Sequence, residues 1–223
     1  MRGRAARALA AALAASCAGE GPGDPVDPEA HAPASGVCVA GGGASDPFVD
    51  CVDAFRPAGA TFGQDRLPEV VLGPPQGGGD QGGLDVLSLG CGGSITLFFD
   101  GPGIDDGPGD ERRIYENPFA LGDGTFVEPA RVLVSDDGSR WAEFACDVEA
   151  RPPIGCAGVA RVYAGEGPEA WGGDGFDLAE VGLERARFVR LIDVTEAHWG
   201  HRMWCGGEAG GFDLDAAAAL HGG

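Results

Sequence analysis

Apolar stretches in this chain are short, and turn formers close nearly all of them. Residues 84–89, 94–99, 113–116, 130–135, 141–144, 159–163 and 187–194 are β-rich runs with Gly, Pro, Asp and Asn between them. A strand is complete in about five or six residues, whereas a helix that buries one face needs about ten or more. The spacing therefore predicts an all-β fold, an antiparallel β-sandwich, over residues 84–223. Two stretches have a helical alternative: 176–183, and 214–220, where alanine, a strong helix former, dominates. No repeat of fixed period is present.

The N-terminus sets the compartment. Met1, Arg2, Arg4 and Arg7 precede a short apolar stretch that ends in small residues at Ser16, the pattern of a signal peptide over residues 1–16. It is much shorter than the roughly 20 apolar residues of a membrane span. Residues 13–17, LAASC, resemble a bacterial lipobox, in which cleavage ahead of Cys17 leaves a thiol that carries diacylglyceride and an amino group that carries a further acyl chain. Ala14 stands where Leu is usual, and the plainer alternative is ordinary cleavage with Cys17 left as a free thiol. Two or more acyl chains anchor a protein stably where one does not.

Seven cysteines are an odd number, and lipidation of Cys17 leaves six for disulfides in an oxidising compartment. Six cysteines allow 15 connectivities. Cys38 with Cys51 and Cys146 with Cys156 are close in the chain and flank Gly/Pro turns, which leaves Cys91 with Cys205. Zinc is the competing use, but no C-x-x-C pair is present. From Ala18 to about Ser35 the sequence is chiefly Gly, Pro, Asp, Glu and Ala with a single apolar Val26; such a stretch buries too little surface to fold, and residues 17–35 read as a disordered tether. Residues 36–83 read as a disulfide-stapled segment and a Gly-rich loop leading into the sandwich.

All 15 basic residues are Arg, three of them in the leader, so the mature chain carries 12 positive against 35 negative charges, a net of −23. Nucleic acid is excluded as a partner, an anionic lipid surface is disfavoured, and cations are favoured.

Residues 132–141, VLVSDDGSRW, read as a β-hairpin: alternating apolar residues, an Asp-Gly turn, and a Trp able to cover the core. With residues 94–99, SITLFF, and 186–191, ARFVRL, this hairpin resembles the discoidin-like branch of galactose-binding-like domains. A narrower set, residues 88–95 (SLGCGGSI), 106–110 (DGPGD), 116–119 (ENPF), 173–178 (GDGFDL) and 211–215 (GFDLD), resembles a group of uncharacterised bacterial cell-surface lipoproteins. The resemblance spans roughly residues 70–220. It implies a jelly-roll sandwich, exposure at the cell surface and, for the wider branch, loops at one end that bind sugars, proteins or lipid head groups, often beside a structural calcium ion. The long acidic loop before Ile114 and the insertion at residues 198–210 depart from the wider pattern, so no ligand site transfers residue by residue.

The acidic loop at residues 100–110 crowds Asp105, Asp106 and Asp110 among glycines and prolines that leave carbonyls free, an oxygen-rich set of the kind calcium prefers. Pro102 at the second ligand position separates it from an EF-hand. Glu116, Asp174, Asp177 and Asp213 are the further calcium candidates, converging from other loops if the resemblance holds. His198, His201 and Met203 offer imidazole and thioether ligands that suit a transition metal. Trp199 and Trp204 offer indole faces for a sugar ring.

No catalytic motif is found. Gly77 to Gly82 matches G-x-G-x-x-G literally but precedes a strand pattern rather than a helix, and no G-x-S-x-G elbow exists. The expectation is an extracytoplasmic, lipid-anchored module at the outer membrane or cell surface, ordered by calcium and binding glycan or a surface protein. A polysaccharide hydrolase with paired carboxylates and a periplasmic metal-binding protein are the alternatives.

Overall fold

The computed structural model describes Cys38 and residues 46–220, apart from 164, 166, 168 and 169. The leader, Cys17 and the tether expected at residues 17–35 lie outside the described residues. In chain order the strands are β1 (Cys51–Arg56), β2 (Leu87–Ser88), β3 (Ser94–Phe98), β4 (Ile104–Asp105), β5 (Arg112–Tyr115), β6 (Phe119–Leu121) and β7 (Gly124–Phe126). They continue as β8 (Ala130–Ser135), β9 (Ala142–Glu143), β10 (Asp174–Phe176), β11 (Arg185–Ala186), β12 (Phe188–Asp193), β13 (Asp213–Leu214) and β14 (Ala216–Ala219). One short helix, α1 (Thr195–Trp199), follows β12. No helix among the described residues is long and apolar enough to cross a membrane.

Every strand pairing is antiparallel. The larger sheet runs β1-β3-β12-β8-β9 and the smaller β10-β5-β14, with three two-stranded ribbons beside them. The register explains the core. Val52, Leu97, Val189, Val134 and Ala142 form one row across the larger sheet, and Phe55, Ile95, Leu191 and Val132 the next. All but Ala142 are buried, because strand side chains alternate faces and both rows lie on the same face. Ile114, Phe176, Ala217 and Ala219 of the smaller sheet join them in one cluster with Leu87, Phe212 and Leu214. The result is the all-β, two-layered antiparallel fold that the short runs predict.

Residues 216–219 form a strand, and the helical alternative fails for a packing reason. Ala217 and Ala219 face the main core, while Ala216 and Ala218 pack with Tyr115, Phe48, Val162 and Trp171 on the other side. Small side chains let both faces of this strand be covered closely, which outweighs alanine's helical preference. Residues 174–176 likewise form a strand, followed by a 3-10 turn at Leu178–Val181. Residues 159–163 contribute only an isolated bridge, Val162 to Gly172.

The hairpin at β8 and β9 forms, with Asp137 accepting from the backbone of Ser139 and Arg140 in its turn. Trp141 lies on the outer face of the sheet, not over the core. It meets Phe188 edge-on and has the Arg190 guanidinium 4.1 Å above its ring, since Phe188 and Arg190 alternate with the core-facing Val189 and Leu191. The three disulfides join Cys38 to Cys51, Cys91 to Cys205 and Cys146 to Cys156.

An acid-floored aromatic pocket as candidate functional site

The seven calcium candidates do not converge. Asp105 is exposed in β4 and lines a broad groove of about 680 Å³, in which Arg185 pairs with Asp136 and Arg140 with Asp137. Asp110 pairs with Arg113 at 3.4 Å. Asp174 accepts three backbone N–H bonds, from Gly158, Val159 and Ala160. The remaining four divide between two groups.

Asp106 and Asp177 meet Glu111, with one carboxylate oxygen from each within 4.8 Å of the others. This group is partly answered by nearby donors and one cation. Glu111 accepts from the Gly107 and Leu178 amides, Asp177 accepts from Ala179, and Arg112 lies buried close to both Glu111 and Asp177. Burial lowers the Arg112 guanidinium to about 10, still high enough to stay charged, and its ring contact is Phe144 at 5.0 Å.

Glu116 and Asp213 instead meet Glu128, again with oxygens within 4.8 Å, and all three side chains are buried. None of the ion pairs among the described residues reaches them. The strand period puts Asp213 there: in residues 212–215, Phe212 and Leu214 enter the core, so Asp213 and Asp215 point the other way. Ser88, its partner across the β2–β13 ribbon, donates its hydroxyl to Asp213. Glu116 follows β5 and accepts from the Asp213 amide at 3.3 Å through Oε1; its Oε2 is buried with no hydrogen-bond partner. Glu128 accepts from the Gly211 amide at 2.8 Å. Gly211 has φ +81°, and a Cβ there would stand 2.6 Å from the Gly90 carbonyl carbon, so only glycine brings that amide to Glu128.

Burial is the chief reason that all three acids are harder to ionise. The Glu128 carboxyl is pushed up to about 9 by burial and then by Asp213. Asp213 rises to about 6 through burial, against the lowering effect of Ser88 and Asn117. Glu116 is raised well above the carboxylate range by burial, then by Asp213 and Glu128. Asp193, buried nearby, is fully occupied: it accepts from Gly92, Thr195 and Phe212, tying the end of β12 to two neighbouring turns.

Above these acids opens a pocket of about 350 Å³. Glu128 and Asp213 line its floor, and Phe62, Phe119, Phe126, Met203 and Trp204 supply its walls. Among the described residues, Leu84, Met203 and Trp204 are three of the six large apolar side chains left exposed, and all three border this one pocket. The Gly-rich loop reaches the rim through two clamps. Asp215 accepts from the Gln76 and Gly77 amides, and Asn117 exchanges hydrogen bonds with the backbone of Gly83. Cys91–Cys205 fastens the 3-10 turn that carries Met203 and Trp204.

Of the two tryptophans expected to contact ligand, Trp204 lines the pocket with its ring edge-on to Phe126 at 4.9 Å. Trp199 lies behind it, stacked on Phe126 and donating to the Val127 carbonyl at 3.0 Å. His198 is buried, its Nδ1 2.7 Å from the Val148 carbonyl, and burial lowers its pKa; His201 is exposed and accepts from the Met203 amide. Neither imidazole joins a three-ligand group among the described residues. Glu128, Asn117, Phe62, Phe119 and Phe126 are site residues that the sequence reasoning missed. Compared with models of known protein families and with curated proteins, the chain matches none.

Proposed function

We propose that the chain is a lipid-anchored binding module of the discoidin-like, jelly-roll kind, displayed outside the cytoplasm through Cys17, with calcium as its ordering ion. Its pocket takes a glycan or another cell-surface component. The observation that carries this reading is the convergence of exposed Leu84, Met203 and Trp204 on one pocket with a carboxylate floor. Surfaces seldom gather apolar side chains around a concavity without a ligand to cover them, and an aromatic wall above polar groups is how a sugar ring is gripped.

The expected result on a glycan array is retention of the full chain that falls by roughly tenfold or more when Trp204 becomes Ala, as for a buried aromatic anchor. Trp141→Ala, in the broad groove, leaves retention unchanged. Retention indifferent to Trp204 would move ligand binding elsewhere.

Hydrolysis of an extracellular polysaccharide is the second reading, favoured by one observation. Glu128 and Asp213 share a pocket with carboxyls pushed to different heights, about 9 and about 6, as an acid and a partner base require. Release of reducing ends from polysaccharide, abolished by Glu128→Gln, is its signature. Their absence with binding retained leaves the module reading.

A further inference from the structure

We propose that Glu116, Glu128 and Asp213 hold a divalent cation at the floor of the pocket, and that the hydroxyls of a neutral saccharide complete its coordination, so that ion and sugar are taken up together. This rests on the binding-module reading and names both the site of the ion and the class of ligand.

The geometry asks for a small cation. Three carboxylates offer oxygens within 4.8 Å of one another, a spread that one ion with ligands at roughly 2.3–2.6 Å can span. Glu116 is only 2 % exposed, and its Oε2 has no hydrogen-bond partner, so the carboxylate that joins the other two acids carries an unanswered buried acceptor. Glu116 does not line the pocket, which places it beyond an ammonium group on a ligand but within reach of an ion seated below it. The donors are all carboxylate oxygens, a hard set that suits calcium or magnesium rather than copper or zinc. Asp106, Glu111 and Asp177 meet the same spacing limit, but Asp106 is exposed, Glu111 and Asp177 accept from backbone amides, and the buried Arg112 guanidinium lies near them, so the demand for a cation is weaker there.

The same geometry leaves the ion open on one side. Glu128 and Asp213 reach the pocket surface, while the amides of Gly211 and Asp213 and the Ser88 hydroxyl occupy part of the carboxylates' capacity. Calcium takes six to eight oxygens, so the shell is completed from the pocket side. Three carboxylates and a divalent ion keep a net negative charge, to which Asp193 adds, so an anionic ligand is repelled. A neutral diol donates two oxygens without adding charge, and its ring then lies against Trp204 and Phe126.

Two measurements on the full chain in detergent test this. Terbium added alone, as a calcium stand-in, is expected to luminesce on indole excitation because Trp204 lines the same pocket. Calcium displaces it, Glu128→Gln removes the signal, and Asp106→Asn leaves it. Melting of the Glu128→Gln chain at the wild-type midpoint in chelator separates loss of the site from loss of the fold; if that variant does not fold, Asp213→Asn replaces it. Absent luminescence, or a signal lost with Asp106→Asn instead, overturns the ion site. Retention on an array of neutral oligosaccharides is then expected to drop by roughly tenfold or more in chelator, and by linkage the sugar retained is expected to tighten terbium equally. Retention unchanged in chelator overturns the joint uptake while leaving the binding module standing. A terbium signal with no saccharide retained overturns the joint uptake and the glycan reading of the pocket, while the ion site stands.

Discussion

With serine at both Cys91 and Cys205, the chain is expected to lose about 2–5 kcal/mol of stability in a non-reducing urea melt. This disulfide joins residues 114 apart in sequence, so its removal releases a large share of the unfolded chain's freedom. The local effect is larger still for function. Met203 and Trp204 lie on the 3-10 turn that ends at Cys205, in a loop with little buried surface of its own. Without the bridge that wall leaves the pocket, and retention of ligand disappears at temperatures where the sheets persist. Cys146–Cys156 spans 10 residues away from the pocket, so its double-serine variant costs less and keeps the ligand. Equal losses from the two variants would show that the first bridge has no special bearing on the pocket.

The second large effect is on pH dependence. In chelator, stability is expected to fall as pH rises from about 5 to 9, by several kcal/mol at about 1.4 kcal/mol for each unit of displaced pKa. The folded chain keeps a proton on Glu128 up to about 9, while the unfolded chain releases it near 4.5. Between those values the folded state binds more protons, so its advantage is complete below the lower value and drains away through the upper one. Asp213 and Asp215, both raised chiefly by burial to about 6, lose their share earlier in the same window. Calcium competes with those protons, so in excess calcium the decline flattens. Thermal melts across the range check this; stability rising with pH in chelator would contradict it.

How much of this was legible from the residues depended on whether burial left a periodic trace. β8 and β12 are compact runs rich in Val, Leu and Ile whose buried positions alternate along most of their length, and both were plain. β1 was not, because a bulge between Val52 and Ala54 breaks the alternation, so that Val52 and Phe55 both reach the core at a spacing of three. β14 was ambiguous because alanine carries no directional pattern, and only a sheet covered on both faces makes four buried alanines a strand.

The site was half legible. Glu116, Asp213 and Trp204 stood out through short motifs and composition, and the strand alternation in residues 211–215 contains the reason that Asp213 faces away from the core. Asp105, Asp106 and Asp110 drew attention by crowding, yet exposed acids screened by water and nearby arginines need no ion. Glu128 carried the opposite signal. It sits in the wholly buried run 126–130, between Val127 and Pro129, and an isolated acid inside an apolar stretch marks a buried charge more surely than a cluster of acids does. Convergence of Asn117, Phe62 and Phe126 depends on loop paths, which no local pattern encodes.

The most direct test of the central claim is the melting midpoint of the full chain in detergent, disulfides intact, in chelator and in excess calcium. Calcium at a hundred times its dissociation constant is expected to add about 2.7 kcal/mol. The gain is expected to vanish when Glu116→Gln and Asp213→Asn are combined, and to survive Asp106→Asn with Asp177→Asn. A midpoint indifferent to calcium, or a gain abolished only by the Asp106 and Asp177 substitutions, would contradict the assignment of the buried acids as the ion's seat.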